Sequence, residues 1–349
     1  MSFDYELAII GSGPAGATLA RLVDSSIRTV IIDKKAETPG GFEKPCGGLL
    51  APDAQRALSR YDTTLPKEVL VDPQIFSVKT IDLRSGLVRH YQRCYMNMDR
   101  HKFDMWLCGM IPPTVKRIEG RCVDIIPIDG GYSIQYCHDG AHHSVTAKYI
   151  VGADGANSIV RNKLFPNKKL RRYTAIQQWF VCDNQTPFYS CIFDPDTSDC
   201  CSWSISKDQY FIFGGAFPVK DSRRRFEVQK QKLMDMGFPL GSPIKTEACM
   251  VLRPRSFHDF CTGNSNAFLI GEAAGFISPS SLEGISYAME SADMLSSALL
   301  SSNPEASYRR KTLKLRLKLT IKVLKCPFMY QPFLRRLVMK SGIQSIKVK

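Results

Sequence analysis

Residues 6–33 read ELAIIGSGPAGATLARLVDSSIRTVIID, and this stretch decides the fold. Glu6 to Ile10 is a short apolar run ending at a glycine, the pattern of a parallel strand buried on both faces. From about Pro14 to Val23, Ala15, Leu19 and Leu22 recur at helical spacing, and Thr29 to Ile32 is a second, β-branched strand. Strand, helix and strand form a βαβ unit. At its first bend stands Gly11-Ser12-Gly13-Pro14-Ala15-Gly16, a G-x-G-x-x-G. Gly11 permits the tight turn, Gly13 lets backbone approach a pyrophosphate, and Gly16 lets helix and strand pack closely. The helix start at Pro14-Ala15 adds free N–H groups farther along the first turn and a partial positive charge. Asp33 ends the second strand, followed by Lys34, where a carboxylate can accept from ribose hydroxyls. An acid at this place favours an adenosine without a 2′-phosphate, hence FAD or NAD rather than NADP.

Working outward, residues 34–52 are rich in Gly and Pro and read as a long loop. Helical patterns follow at Pro52 to Tyr61 and Arg100 to Met110. Residues 115–147 alternate with turn signals at Asp129-Gly130-Gly131 and Asp139-Gly140, an antiparallel meander. Lys148 to Val151 returns to the buried-strand pattern and leads into Gly152-Ala153-Asp154-Gly155. From about Leu170 to Asp259 the βα rhythm is lost, apart from one helical stretch near Arg223 to Met236. It returns at Ala267 to Ile270, with a helix from about Gly284 to Leu300. The expected architecture is α/β: a Rossmann-like dinucleotide domain at 1–169, an inserted mixed α/β domain at 170–262, a closing segment at 263–308 and a basic helical tail at 309–349.

Several motifs beyond the βαβ unit carry a family resemblance. Gly152-Ala153-Asp154-Gly155-Ala156-Asn157-Ser158, with Arg161, resembles the GADG-x-x-S-x-x-R signature of flavoprotein hydroxylases and geranylgeranyl reductases. Leu269-Ile270-Gly271-Glu272-Ala273-Ala274-Gly275, then Pro279 and Glu283-Gly284-Ile285, is similar to their second flavin motif. Arg100 with Phe103-Asp104 and Leu107 resembles their flavin-contacting helix. Lys44-Pro45-Cys46-Gly47-Gly48 looks like the K-x-CGG segment of the geranylgeranyl reductase branch. The resemblance implies a PHBH-like fold with FAD as cofactor. It places Gly11, Gly13, Pro14, Ala15, Gly16, Asp33 and Lys34 at the ADP part. It places Gly271 and Glu272 near the ribityl chain, and Cys46, Gly47, Arg100, Asp154, Pro279, Gly284 and Ile285 around the flavin. A helix start near Gly284 would favour the negative charge of a reduced ring. Two positions depart from the pattern. Glu272 stands for an aspartate, which requires a local adjustment, and Leu282 stands for a glycine, which crowds the approach.

Cys201-Ser202-Trp203-Ser204-Ile205-Ser206-Lys207 resembles the branch's Y-x-W-x-x-P-K segment, which lines an apolar tunnel. Trp203 and Lys207 are therefore the substrate-side candidates, although core packing accounts for Trp203 equally well. Phe211, Phe213 and Phe217 read as core. Cys46 is the one candidate functional thiol, and an unreactive loop cysteine is the plainer reading. No second G-x-G-x-x-G serves a resident nicotinamide, so the resemblance implies electrons from transient NAD(P)H or from a protein donor. The leading expectation is reduction of double bonds in an isoprenoid-like or other apolar substrate. A monooxygenase of the same fold, and a flavin- and lipid-binding protein without turnover, stay open.

The twelve cysteines include no C-x-x-C pair and no zinc-site spacing, so no metal is expected. The start MSFDYELAIIGSG lacks a signal-peptide pattern, and reduced thiols in the cytoplasm are expected. The formal charge is +14, yet residues 309–349 hold 13 Lys/Arg and no acid, leaving 34 basic against 33 acidic groups elsewhere. The excess belongs to the tail. Leu313 to Val323, LKLRLKLTIKV, alternates as a strand would, but its Leu, Lys and Arg favour helix. On a helix Lys311, Lys314, Lys318, Lys322 and Lys325 form one stripe. The stripe suits packing on the body, an anionic membrane surface met through residues 309–325, or solvent. No aromatic-interleaved groove accompanies the charge, so nucleic acid is not expected as a partner.

Overall fold

A computed structural model describes residues 2–34, 44–61, 63–182 and 186–348. The part of the 34–52 loop that spans 35–43 lies outside the described residues. The chain runs β1 (Tyr5–Ile10), α1 (Pro14–Leu22), β2 (Thr29–Asp33), β3 (Leu49–Leu50), α2 (Pro52–Arg60), β4 (Ile75–Asp82), β5 (Leu87–Asn97) and α3 (Arg100–Gly109). It continues through β6 (Lys116–Glu119), β7 (Arg121–Ile128), β8 (Gly131–His138), β9 (Ala141–Gly152), α4 (Ile159–Leu164), β10 (Arg171–Val181), β11 (Phe188–Phe193), β12 (Ser202–Lys207) and β13 (Tyr210–Pro218). It ends with α5 (Ser222–Met234), β14 (Lys245–Arg253), β15 (Gly263–Asn264), β16 (Ala267–Leu269), α6 (Ile285–Leu299), α7 (Pro304–Lys311), α8 (Leu313–Tyr330), α9 (Pro332–Ser341) and β17 (Ser345–Ile346).

The first sheet has the order β15-β16-β9-β1-β2-β6, parallel from β16 to β6, with β7 and β8 hung antiparallel on β9. Strands β1, β2 and β16 and the end of β9 are apolar at nearly every position because helices or strands cover both faces. Leu7, Ile9 and Ile31 face α1 and α6, while Ala8, Ile10, Val30 and Ile32 face Ile125 and Ile134 of the meander and Leu315 and Leu319 of α8. Register sets the site: Ile10 pairs with Ile32 on one side and with Gly152 on the other. The ends of β1, β2 and β9 therefore lie side by side.

The second sheet runs β14-β10-β13-β12-β11-β4-β5-β17, with β3 on β5. It is wider than residues 170–262. Strands β4 and β5 come from within 1–169, and β11 pairs parallel to β4 with Ile192 opposite Ile81. The tail adds β17, which pairs Ser345 with Tyr91. Phe213 and Phe217 are buried against Phe226 of α5 and Phe211 against Phe238, as core.

The alternating segment Leu313 to Val323 is helical, within α8. Its period-two pattern gives apolar positions to two helix faces, and Leu315 and Leu319 are buried in the body's core. In α9 the Arg335 guanidinium reaches the Asp82 carboxylate of β4 at 2.9 Å, both groups being 5% exposed or less. Removing one member of such a pair strands the other charge in a dry interior. Asp82→Ala is expected to cost about 3 kcal/mol and to expose the tail to trypsin, whereas Asp82→Leu with Arg335→Met restores most of the loss. Thermal unfolding and limited proteolysis check both outcomes.

Candidate functional site

The carboxyl ends of the parallel strands open into a cleft of ≈ 820 Å³, within the range of cofactor and ligand sites. The first sheet contributes Ile10, Gly11, Gly13, Pro14, Ala15, Asp33 and Lys34, with Ala153 to Asn157 beside them. Loops add Lys44 to Leu49, Glu272 and Ser281 to Ile285, and α3 adds Arg100 and Asp104. The second sheet supplies Tyr95, Ala175, Gln177, Tyr189, Trp203, Ile205 and Ala248 to Val251.

The glycine turn is held from within. Gly11 has φ of +100°, and a Cβ there would lie 2.8 Å from the Ala153 carbonyl oxygen. The Ser12 hydroxyl donates to Asp33 at 2.8 Å, and the Ser12 N–H donates to the same carboxylate oxygen. Asp33 thus shapes the turn as well as lining the cleft. No side chain caps α1, and a Cβ on Gly13 would meet nothing within 4 Å. Uncapped N–H groups facing open space are what a phosphate requires.

Asp154 is the second fitting feature. Its Oδ2 accepts from the Ile159 N–H at 2.7 Å, while Oδ1 is buried with no partner among the described residues. Burial pushes its carboxyl up to about 6. A bound donor in the cleft would satisfy the orphaned oxygen. These groups fit a dinucleotide. With FAD in the cleft, the Gly11–Gly13 turn and the start of α1 would hold the phosphates, and Asp33 and Asp154 would accept from its hydroxyl or amide groups.

The departures at Glu272 and Leu282 have structural accounts. Glu272 accepts from Lys44 Nζ at 2.8 Å and, with its other oxygen, from the Leu252 N–H of β14 at 3.0 Å. The additional methylene gives an acid on the first sheet's turn the reach to tie the Lys44 loop to the second sheet. Burial opposes the Lys44 charge, but Glu272 prevails and holds the ammonium above its ordinary range. Leu282 sits at φ +56°, where a glycine would be unstrained, and its side chain packs toward Tyr173 and Cys200 while still lining the cleft. The left-handed backbone costs a leucine about 1–2 kcal/mol.

Four candidates from the sequence do not line the cleft. Gly16 lies beneath the turn, where a Cβ would come within 1.8 Å of the Gly11 carbonyl oxygen. Gly271 is closed off by Ala15 and Ala288. The Pro279 carbonyl accepts from Arg253 Nε at 2.9 Å, outside the lining. Lys207 is buried and donates to Asn97 Oδ1 at 2.6 Å, the Met98 carbonyl at 2.6 Å and the Gly48 carbonyl at 3.2 Å. Burial lowers its ammonium to about 8. Lys207 is thus a clasp under the Gly47-Gly48 loop and does not line the cleft. Gly48, at φ +61°, allows that approach, since a Cβ would lie 2.3 Å from the Met98 carbonyl oxygen.

Trp203 does line the cleft, and Gly47 and Gly214 give its ring room. Cys46 Sγ accepts from the Gly48 N–H at 3.4 Å and lies beside Arg100, whose guanidinium bonds Asp104 at 2.9 Å. Residues missed by sequence reading include Tyr95 and Tyr189, in edge contact at 5.7 Å, and the β14 stretch Ala248 to Val251. No local signal marks them, because they meet only through long-range strand pairing. His142 and His143 are exposed on β9, and the described residues hold no His/Cys/Asp/Glu group suited to a metal ion.

Gly13→Val fills the open space above the turn. It is expected to leave the far-ultraviolet circular dichroism unchanged and to weaken FAD binding by at least about tenfold, roughly 1.4 kcal/mol, measured by flavin fluorescence titration. Gly16→Val collides with the backbone and should not give folded protein. Asp154 binds its proton more tightly folded, about 6 against an ordinary 3.8. Its contribution to stability therefore falls as pH rises through that interval. In melting curves across it, Asp154→Asn should lose this component of the decline.

Residues 132–308, about half of the chain, match the family described as FAD binding domain. Protein CbrA of Shigella sonnei is 51% identical over 347 residues, covering 98% of both chains. A geranylgeranyl bacteriochlorophyll reductase-like protein from Thermoplasma acidophilum superposes with a TM-score of 0.72 at 18% identity, covering 98% of this chain and 88% of that one. PqsL of Pseudomonas aeruginosa, a probable FAD-dependent monooxygenase, gives 0.70 at 15% identity, covering 97% and 99%. At such identities the two structures establish the shared PHBH-like fold. With a glycine turn, an acid and an orphaned acceptor around one cleft, and a match across half its length, the chain belongs to the FAD binding domain family of flavoproteins.

Proposed function

We propose that this flavoprotein reduces carbon–carbon double bonds of an isoprenoid-like or similarly apolar substrate. One observation carries the reading: the phosphate-binding turn and an apolar, aromatic wall share a single cleft. Two of that wall's polar side chains, Trp203 and Gln177, are already engaged. The Trp203 indole N–H donates to Gln177 Oε1 at 3.2 Å, and the Gln177 amide donates to Glu247 at 3.4 Å. An apolar chain laid against Trp203, Ile205, Met250 and Val251 would therefore strand few polar groups. The resemblance of Lys44 to Gly48 to the K-x-CGG segment supports the same substrate class.

Bound in this cleft, FAD supplies the two-electron chemistry. The chain's own groups position and insulate. Lys44 pairs with Glu272 and Arg100 with Asp104 on the cleft lining, so each of these four charges is balanced by a neighbour. Burial keeps Tyr95 a neutral phenol, pushed up to about 12, and holds Tyr189 above its ordinary value as well. The wall thus stays uncharged at neutral pH. Electrons would arrive from transient NAD(P)H or from a protein donor, as the family resemblance implies.

The test is anaerobic mixing of photoreduced holoenzyme with polyprenyl lipids. Reoxidation without oxygen is the expected result. Reoxidation that needs both oxygen and substrate would make the protein a monooxygenase, and none under either condition would make it a binder. Trp203→Ala should retain its flavin and slow lipid-dependent reoxidation by about tenfold or more, roughly 1.4 kcal/mol of barrier.

A further inference from the structure

The tail helices bury one face and leave another uncovered. On α8, Leu315 and Leu319 enter the core, while Lys318 and Lys322 lie over the Tyr287 ring at 5.4 and 5.2 Å. Lys322 also donates to the Tyr287 hydroxyl at 2.5 Å, and Lys318 lies 3.7 Å from Asp53. Two of the stripe's five lysines are therefore engaged with the body. Turned outward are Leu313, Leu317, Ile321, Leu324 and Phe328, between 44% and 69% exposed. Their spacings of four, four, three and four hold them within an arc of about 80° on a helix turning 100° per residue. Lys314 and Lys325 border that arc on one side. The adjoining α9 exposes Phe333 at 71% and Leu337 at 52%.

An uncovered apolar row of this length marks a binding surface. Its surroundings choose the occupant. Residues 309–349 contain 13 Lys/Arg and no acid. A second copy packed by two-fold symmetry would set this rim against itself, cation facing cation. No helix among the described residues is long and apolar enough to cross a membrane. We propose that this face of α8 and α9 lies flat on a bilayer bearing anionic headgroups. The apolar row enters the boundary between headgroups and acyl chains, and Lys314 and Lys325 meet the phosphates. The surface is joined to the cleft. Tyr330, at the end of α8, donates to the Ser280 carbonyl at 2.6 Å, and the adjacent Ser281 to Ile285 line the cleft. Docking would hold the substrate wall close to where apolar molecules dissolve, and it stands whether or not the chain reduces them.

The experiment is co-sedimentation of flavin-loaded protein with vesicles of phosphatidylcholine, alone or with phosphatidylglycerol. Binding should need phosphatidylglycerol and weaken by about tenfold or more when salt shortens the screening length from ~30 to ~3 Å. Leu317→Glu with Ile321→Glu and Phe328→Glu should lose binding by a similar factor, with flavin content and melting temperature retained. Lys314→Gln with Lys325→Gln, which leaves the apolar row intact, should weaken binding at low salt only. Failure of the native protein to bind either vesicle overturns the proposal, as does unchanged binding in the triple variant. A concentration-dependent dimer of the native protein that the triple variant abolishes would assign the face to a second copy instead.

Discussion

The site depends on one backbone contact. The Gly11 carbonyl packs so tightly on α1 that a Cβ at Gly16 would stand 1.8 Å from it, and a Cβ at Gly11 itself would stand 2.8 Å from Ala153. Only glycine at both positions lets β1, α1 and the end of β9 meet at one point. Because they meet there, the uncapped start of α1 and the unpartnered oxygen of Asp154 border the same space. The binding features on the first sheet are consequences of strands that end together and leave their polar groups unused.

Charge, and not apolar packing alone, fastens the second sheet to the first sheet's turn, to the Gly48 loop and to the tail. Glu272 holds Lys44 and the β14 backbone, Lys207 holds the Gly48 loop, and Arg335 holds Asp82. A hydrophobic contact tolerates sliding, whereas a hydrogen-bonded cation in a dry setting is directional and costly to leave. The Glu272 tie joins the turn after β16 to β14, whose residues line the cleft. The Lys207 clasp also accounts for a lysine in a segment whose neighbours are apolar or small. Its ammonium is worth burying because three oxygens from the Asn97-Met98 stretch and the loop converge on it.

Much of the first sheet was legible along the chain. Its strands announce themselves as apolar runs, its helices as periodic patterns, and its turn as glycines in fixed places, all signals spanning a few residues. The second sheet was not. Its strands β4 and β5 stand on either side of a tight turn, but their partners β11 and β17 lie about a hundred and about two hundred and fifty residues on. Nothing local states such pairings. Tyr95, Tyr189 and the β14 wall escaped notice for the same reason, and Lys207, a substrate-side candidate in the sequence, lies buried beneath the Gly48 loop. The tail shows a subtler limit. Period-two alternation normally marks a strand, yet on α8 it supplies one apolar row for the body and another that stays exposed.

What the sequence determined by itself was the chemistry within reach of a few residues: a glycine-rich turn between strand and helix, an acid after β2, a second glycine-rich motif and a tail that carries all but one unit of the net charge. Tertiary structure alone decided which of these groups face the cleft. It brought Glu272 to Lys44 across 228 positions and drew Gly16, Gly271, Pro279 and Lys207 into support. It also set two of the stripe's five lysines against Tyr287. The reason is physical. Side-chain identity fixes what a group can bond to, while the company it keeps is settled by strand register and packing between segments far apart in the chain.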